Sequence, residues 1–263
     1  IFDQDNDEVN PTFNWGYNPL NYNVLEGSYS SDPYDGYARI KEFKQVVQSY
    51  SKAGINLIMD VVYNHVASVS GRNLDVLAPG YFFRYKQDGS LSNGSGCGND
   101  TASERSMFSH FMSQSVSFWA KEYKLGGFRF DLMGLHTLES MDEATKALRE
   151  INPSIAVYGE PWKMTTSTKA DLATQQGIAK HMEEAGAEVY GAFSDDYRDA
   201  MIKGGMKGVN EVGFVTAKKA DAITKMADVY KVTSGIKGVG LGGGARIEDP
   251  NRVVNYVTCH DNY

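Results

Sequence analysis

Three short apolar runs in this chain each end in a carboxylate: Gly127-Phe128-Arg129-Phe130-Asp131, Ile155-Ala156-Val157-Tyr158-Gly159-Glu160, and Val253-Val254-Asn255-Tyr256-Val257-Thr258-Cys259-His260-Asp261. Runs of this length, rich in β-branched and aromatic residues, read as buried strands. Each acid falls where its strand leaves the core. Strand ends of one sheet converge in space, so three acids at equivalent places predict a single shared site. The long sequence separations then belong to helices and loops.

The segments between these runs carry helical periodicity. Ile40, Phe43, Val46, Val47 and Tyr50 recur at helical spacing within Gly36 to Gly54, followed by the apolar run Ile55 to Val62. A second helix is predicted over about Glu104 to Leu125, with Met107, Phe108, Phe111, Phe118, Trp119 and Leu125 on its apolar face and Gly126-Gly127 as its stop. Leu138, Met141, Ala144, Leu148 and Ile151 mark a third, ended by Asn152-Pro153. Beyond Glu160, a helix over Ile178 to Glu188, a strand over Val189 to Phe193 and a helix over Ala217 to Val232 are expected. Ile1 to Asp35 and Ala67 to Thr101 read as long polar loops, and Gly235 to Gly244 as a flexible one.

Helix and strand alternating in this way predict an α/β fold of parallel βαβ units with about five strands. An open doubly wound sheet satisfies the pattern. So does a partial TIM (β/α)8 barrel running from about the end of strand 2 to the end of strand 7 and lacking strands 1 and 8. Long loops after the strands and acids at the strand ends favour the barrel, which builds its site on that face. Residues 1–263 then form a single, incomplete catalytic barrel domain. Its two unpaired edges predict poor folding in isolation.

A chain of 263 residues with 41% hydrophobic content can bury a sizeable core. A net charge of −7 leaves no electrostatic footprint for nucleic acid. No apolar stretch is long enough for a membrane span. Cys97 and Cys259 are the only cysteines. Cys259 lies in an apolar run and is expected as a buried thiol rather than half of a disulfide.

Splitting a glycosidic bond takes one protonated carboxyl at the leaving oxygen and one carboxylate at the anomeric carbon. An Asp and a Glu at neighbouring strand ends supply both. Arg129 stands two residues before Asp131, hence on the same face of its strand, where a guanidinium keeps the acid ionised. Glu160 precedes Pro161-Trp162, and an apolar ring beside it is expected to raise its pKa. His65 and His260 close two of the apolar segments. A zinc site is the other reading of these histidines, but no His-x-x-x-His or Cys-x-x-Cys spacing occurs.

The segments Asp60-Val61-Val62-Tyr63-Asn64-His65, Gly127 to Gly134, Tyr158-Gly159-Glu160-Pro161-Trp162 and Val254 to Asn262 resemble, in order and spacing, the four short regions of the α-amylase superfamily of glycoside hydrolases (family 13). Phe13-Asn14-Trp15-Gly16-Tyr17-Asn18-Pro19, Gly27 to Pro33 and Phe193-Ser194-Asp195-Asp196-Tyr197-Arg198 are similar to the type I pullulanase group within it.

The resemblance implies a retaining hydrolase of α-1,6 branch linkages in pullulan or branched α-glucans. An α-amylase, an isoamylase, a branching enzyme or a non-catalytic α-glucan-binding protein are the alternatives. It implies Asp131 as nucleophile, Glu160 as general acid and base, and Asp261 as stabiliser of the distorted sugar. Arg129 is then the residue that holds Asp131, and His65 and His260 bind sugar hydroxyls. Tyr17 and Trp162 line the subsites. No cofactor is required. Asn64 matches a position that binds calcium in many α-amylases, which leaves calcium open. Flanking domains are expected in the full-length protein, and a secreted or cell-surface bacterial setting is favoured over a cytoplasmic one.

Overall fold

The computed structural model describes residues 2–4, 13–164, 171–184, 186–202, 213–215 and 222–260. The opening segment is not all loop. β1 (Phe2–Gln4) pairs antiparallel with β2 (Pro19–Leu25). Its strand character is hidden in sequence by asparagines and is set by packing instead. Tyr22 lies edge-on to Phe2 and tilted against Tyr63, and its hydroxyl donates to the His65 carbonyl at 2.7 Å. α1 (Gly36–Lys52) begins where the Asp35 carboxylate accepts the Tyr37 N–H at 2.9 Å. Of its expected apolar face only Val47 is buried, with Phe43 against the core, while Ile40, Val46 and Tyr50 are exposed.

β3 (Ile58–Val61) follows, then a short α2 (Asn73–Leu77) inside the expected loop. The rest of that loop is held by buried polar groups. Asp100 accepts from Ser92 Oγ and from the N–H groups of Gly94 and Ser95, and the Asn99 amide bonds both backbone groups of Val66.

α3 (Ser106–Tyr123) buries Phe108, Met112, Val116, Trp119 and Ala120, whereas Met107 and Phe118 point outward. Phe108, Trp119 and Leu125 of the expected face are buried and Phe111 packs against the core, so Met107 and Phe118 are the departures from it. α3 packs along α4 (Leu138–Ile151), with β4 (Gly127–Phe130) between them in sequence. Lys124, in the left-handed region at φ 57, ends α3. Gly126 and Gly127 serve close approach instead: a Cβ on Gly126 would lie 2.5 Å from Asn56 Cβ, and one on Gly127 2.8 Å from the Ala156 carbonyl. Thr137 caps α4, its hydroxyl accepting the Ser140 N–H.

After β5 (Ala156–Gly159) come α5 (Gln175–His181), β6 (Gly191–Phe193), α6 (Asp195–Ile202) and α7 (Ala222–Ile236). The glycine-rich stretch contains a hairpin, β7 (Gly240–Gly242) with β8 (Ala245–Arg246), rather than an unstructured loop. β9 (Val253–Val254) is much shorter than the run to Asp261 predicts, because Asn255 and Tyr256 bond off the ladder, to the Gly235 carbonyl and to Asp195.

β3, β4, β5, β6 and β9 form one parallel sheet in that order, the order of the chain. The fold is thus α/β with a parallel sheet, as expected. Cys259 lies beyond β9 and is half-buried, not inside a strand, and neither cysteine forms a disulfide among the described residues. No described helix is long and apolar enough to cross a membrane.

Candidate active site

Strand register assembles the site. Asp60 pairs with Arg129 across β3 and β4, and Phe130 pairs with Gly159 across β4 and β5. The ladder continues one step: the Asp131 N–H donates to the Val61 carbonyl at 2.9 Å, and the Glu160 N–H to the Phe130 carbonyl at 3.1 Å. Asp131 and Glu160 therefore stand at the same level on neighbouring strands. In-register residues on parallel strands share a face, so Asp60, Arg129, Asp131 and Glu160 converge.

Arg129 is the centre. Its Nη1 donates to Asp60 Oδ1 at 2.9 Å and to Asp131 Oδ1 at 3.1 Å, and its Nη2 to Glu160 Oε1. The guanidinium lies 5.7 Å from the ring centroids of both Tyr17 and Phe193. Burial works against its charge, but Glu160, Asp60 and Asp131 outweigh that and raise its pKa further. Asp60 was absent from the sequence-derived candidates. Burial raises its pKa, and Arg129 and the Tyr17 hydroxyl, which donates to Oδ2 at 2.7 Å, oppose the rise. The signal for Asp60 was its place in the Asp60–His65 segment; its register with Arg129 was not readable.

Asn64 Nδ2 donates to Asp131 twice, to Oδ2 at 2.9 Å and to the main-chain carbonyl at 2.8 Å. Glu160 Oε2 accepts the Leu132 N–H at 2.8 Å. That N–H is aimed by Leu132 in the left-handed region at φ 42, a conformation costing a non-glycine residue about 1–2 kcal/mol. Arg129 and Leu132 both donate to the Glu160 carboxylate.

The remaining candidates gather around this centre. His260 Nε2 lies 3.9 Å from both Asp131 Oδ1 and Glu160 Oε1. Its ring stacks on Tyr17 at 4.2 Å and 28°, so it covers one face of that ring. The Tyr17 hydroxyl is 3.2 Å from His260 Nδ1, and burial and Asp60 push its pKa up. His65 is buried, with Nδ1 2.6 Å from Asn64 Oδ1. Its Nε2 is buried without a well-formed hydrogen bond among the described residues, though the Tyr17 backbone adds slightly to its proton affinity. Burial lowers the His65 pKa overall and favours the neutral ring. Trp162 is half-buried on the loop after β5, where its backbone presses on Gly134: a Cβ there would lie 2.0 Å from the Trp162 carbonyl. Asp261 lies outside the described residues.

Asp131, Glu160 and His260 each offer a ligand atom within 4.8 Å of the others, a donor set of hard oxygens and one imidazole. Arg129 already donates to both carboxylates, so a guanidinium supplies the positive charge there. Asn64 turns its oxygen to His65 and its nitrogen to Asp131.

Comparison with known proteins follows this geometry. No family model matches the chain. It is 36% identical to the pullulanase of Bacillus subtilis over 98% of its own length and 34% of that protein's. It superposes with a TM-score of 0.87 on a Paenibacillus barengoltzii pullulanase in complex with maltohexaose and α-cyclodextrin, at 39% identity over 100% of this chain and 40% of that one. An Anoxybacillus pullulanase complexed with maltotetraose gives a TM-score of 0.88 at 39% identity, covering 100% of this chain and 36% of that one. The chain spans from about a fifth to a third of the length of the curated pullulanases it matches.

Proposed function

From a chain that is pullulanase-like in sequence and fold along its whole length, we propose a retaining glycoside hydrolase that cleaves α-1,6 branch linkages in pullulan, amylopectin and related α-glucans. The observation that carries the reading is the Asp131–Glu160 pair, held at one level by strand register with carboxylate oxygens within 4.8 Å. Retaining enzymes keep their two carboxyl groups about 5–5.5 Å apart, and inverting ones leave about 6.5–9.5 Å for a water. Relatives of known structure bind maltooligosaccharides, which supports an α-glucan as substrate.

In this mechanism Asp131 attacks the anomeric carbon as the bond to the branch oxygen breaks, and Glu160 gives its proton to that oxygen. The sugar is then joined to Asp131. Glu160 next takes a proton from water, whose oxygen attacks the same carbon and frees Asp131. Asn64 and Arg129 hold the nucleophile. Glu160 must carry a proton in the first step, and its unprotonated oxygen still accepts from Arg129. A sugar stacking on Tyr17 takes the place the His260 ring now occupies, and His260 turns its nitrogens to hydroxyls along with His65. Asp261 is assigned to the distorted sugar. A parallel sheet that keeps chain order, with no reversal at a switch point, supports consecutive strands of a (β/α)8 barrel over a doubly wound sheet.

Product analysis on pullulan tests the function. Maltotriose as the released unit is the expected result. No cleavage of pullulan, or cleavage of linear α-1,4 chains alone, overturns it in favour of an amylase-type or binding role.

A further inference from the structure

Leu132 stands in the left-handed region at φ 42, a strained place for a leucine. Strain of this kind persists only where the surroundings fix it. The residues after it form a single 3-10 turn, Met133–Leu135, with the Leu135 N–H on the Leu132 carbonyl at 2.9 Å. The turn grips Glu160 twice. The Gly134 N–H donates to its main-chain carbonyl and the Leu132 N–H to Oε2, each at 2.8 Å. Arg129 holds Oε1, so Oε2 is the oxygen left to carry the catalytic proton, and the Leu132 N–H aims it.

The far end of the turn is held by a residue the mechanism does not use. Arg84 is buried on the loop between α2 and α3, and its Nη2 donates to the Leu135 carbonyl at 2.8 Å. The same guanidinium grips Glu104 Oε2, from Nε at 3.0 Å and from Nη2 at 2.8 Å. Ser103 continues the seam: its hydroxyl accepts the Thr137 N–H at 3.0 Å and Arg84 Nη2 at 3.4 Å. The loop is anchored in turn. The Arg84 N–H donates to the Asp100 carbonyl and the Thr101 N–H to the Asn64 carbonyl, each at 2.9 Å. Filling space does not explain an arginine here. Its Nη1 is buried with no hydrogen bond among the described residues, a cost that an apolar side chain avoids. An apolar side chain cannot bind a carbonyl and a carboxylate at once in fixed directions, which a guanidinium does.

We infer that Arg84 is a positioning residue that locks the Leu132 turn and so aims the Glu160 proton at the leaving oxygen. The inference rests on the reading of Glu160 as the general acid. Arg84 acts through Leu135 and Leu132. Its loss slows the bond cleavage that needs a proton and spares attack by Asp131, which Asn64 and Arg129 still hold.

The test uses the full-length protein with Arg84→Lys and with the pair Arg84→Met/Glu104→Leu. Lysine keeps a charge for Glu104 but not the fork, and the pair removes the seam without leaving a buried carboxylate alone. Each is assayed on a branched α-glucan, whose leaving oxygen needs a proton, and on α-maltotriosyl fluoride, whose fluoride leaves without one. The quantity compared is kcat/KM, which reports the first bond cleavage, before Glu160 acts as base. Both variants are expected to lose about tenfold on the glucan and less than about threefold on the fluoride. On a Glu160→Gln background, which has no proton to aim, Arg84→Lys is expected to cost less than about threefold more on the glucan. Deuterium exchange of the peptide spanning 131–136 is expected to quicken in both variants. Equal falls on the two substrates overturn the inference, because a site that is merely loosened loses both. Unchanged exchange, or unchanged kcat/KM on the glucan, in the paired variant also overturns it. If that pair does not fold, Arg84→Lys is judged by the same comparison. A parent that cleaves neither substrate defeats the hydrolase reading, while the exchange still decides whether Arg84 locks the turn.

Discussion

The two sides of the candidate site are built differently. On one side Asp60, Arg129, Asp131 and Glu160 stand on β3, β4 and β5, whose neighbouring strands share four residue pairs each. On the other, β5, β6 and β9 share only two pairs at each junction, and the side chains there meet off the ladder: Tyr256 with Asp195, His260 with Tyr17. The first side is placed by the backbone itself. The second is placed by side-chain hydrogen bonds and ring contacts, each of which can be removed singly. The ladder side should therefore fail by losing chemistry, and the loop side by losing affinity.

Glu160→Gln is the most severe way to probe the ladder side. The amide keeps size but has no proton to give, so kcat on a branched α-glucan should fall by about 10²–10⁴-fold with the fold intact by circular dichroism. Near-normal turnover would end the assignment of Glu160. Asp60→Asn comes next. It removes the Asp60 charge and leaves one oxygen, so either Arg129 or the Tyr17 hydroxyl loses its acceptor. A drop in kcat/KM of about 10- to 100-fold is expected, and an unchanged pH–rate profile with unchanged kcat/KM would show that Asp60 only fills space.

Gly134→Ala attacks the joint between the two sides. Its Cβ meets the Trp162 carbonyl at 2.0 Å, so the loop after β5 must shift. Overpacking of this kind costs about 1–3 kcal/mol, readable by denaturant unfolding, and KM should rise more than kcat falls. No change in either would mean the Trp162 loop is not held where the contact implies.

The mildest test concerns His136, which packs edge-on to Phe130 beneath the ladder side. Neither ring nitrogen has a partner among the described residues, and burial lowers its pKa to about 3. The folded ring stays neutral while the unfolded one protonates below its ordinary 6.5. Stability from this group is therefore complete above about pH 6.5 and is lost as pH falls toward 3, by up to about 1.4 kcal/mol per pH unit. His136→Leu should flatten that acid limb in thermal unfolding between pH 7 and 5; an identical slope would show that other groups set it.

The same contrast explains how much could be read from sequence. The βαβ order, the parallel sheet and the convergence of Arg129, Asp131 and Glu160 were legible because strand alternation and acid-tipped runs are local patterns. Asp60 was missed because register with Arg129 is a tertiary fact, although it lay in a recognised segment. That Met107 and Phe118 of α3 point outward was not legible, because apolar residues recur at helical spacing on more than one of its faces. That Leu132 adopts a left-handed turn toward Glu160 leaves no mark in the sequence at all. β9 was overestimated because Tyr256 and Val257 have strand propensity, but Tyr256 bonds to Asp195 and Val257 is exposed.

The central claim is that Asp131 attacks the sugar while Glu160 handles the proton. Trapping the intermediate tests it most directly: the full-length protein is treated with a fluorinated maltosyl fluoride and digested, and the labelled peptide is sequenced by mass spectrometry. A glycosyl group carried on Asp131, gained at a similar rate but lost more slowly in Glu160→Gln because fluoride leaves without a proton while water still needs a base, is the expected result. A label on another residue, or turnover of the reagent with inverted configuration and no label on Asp131, would contradict it.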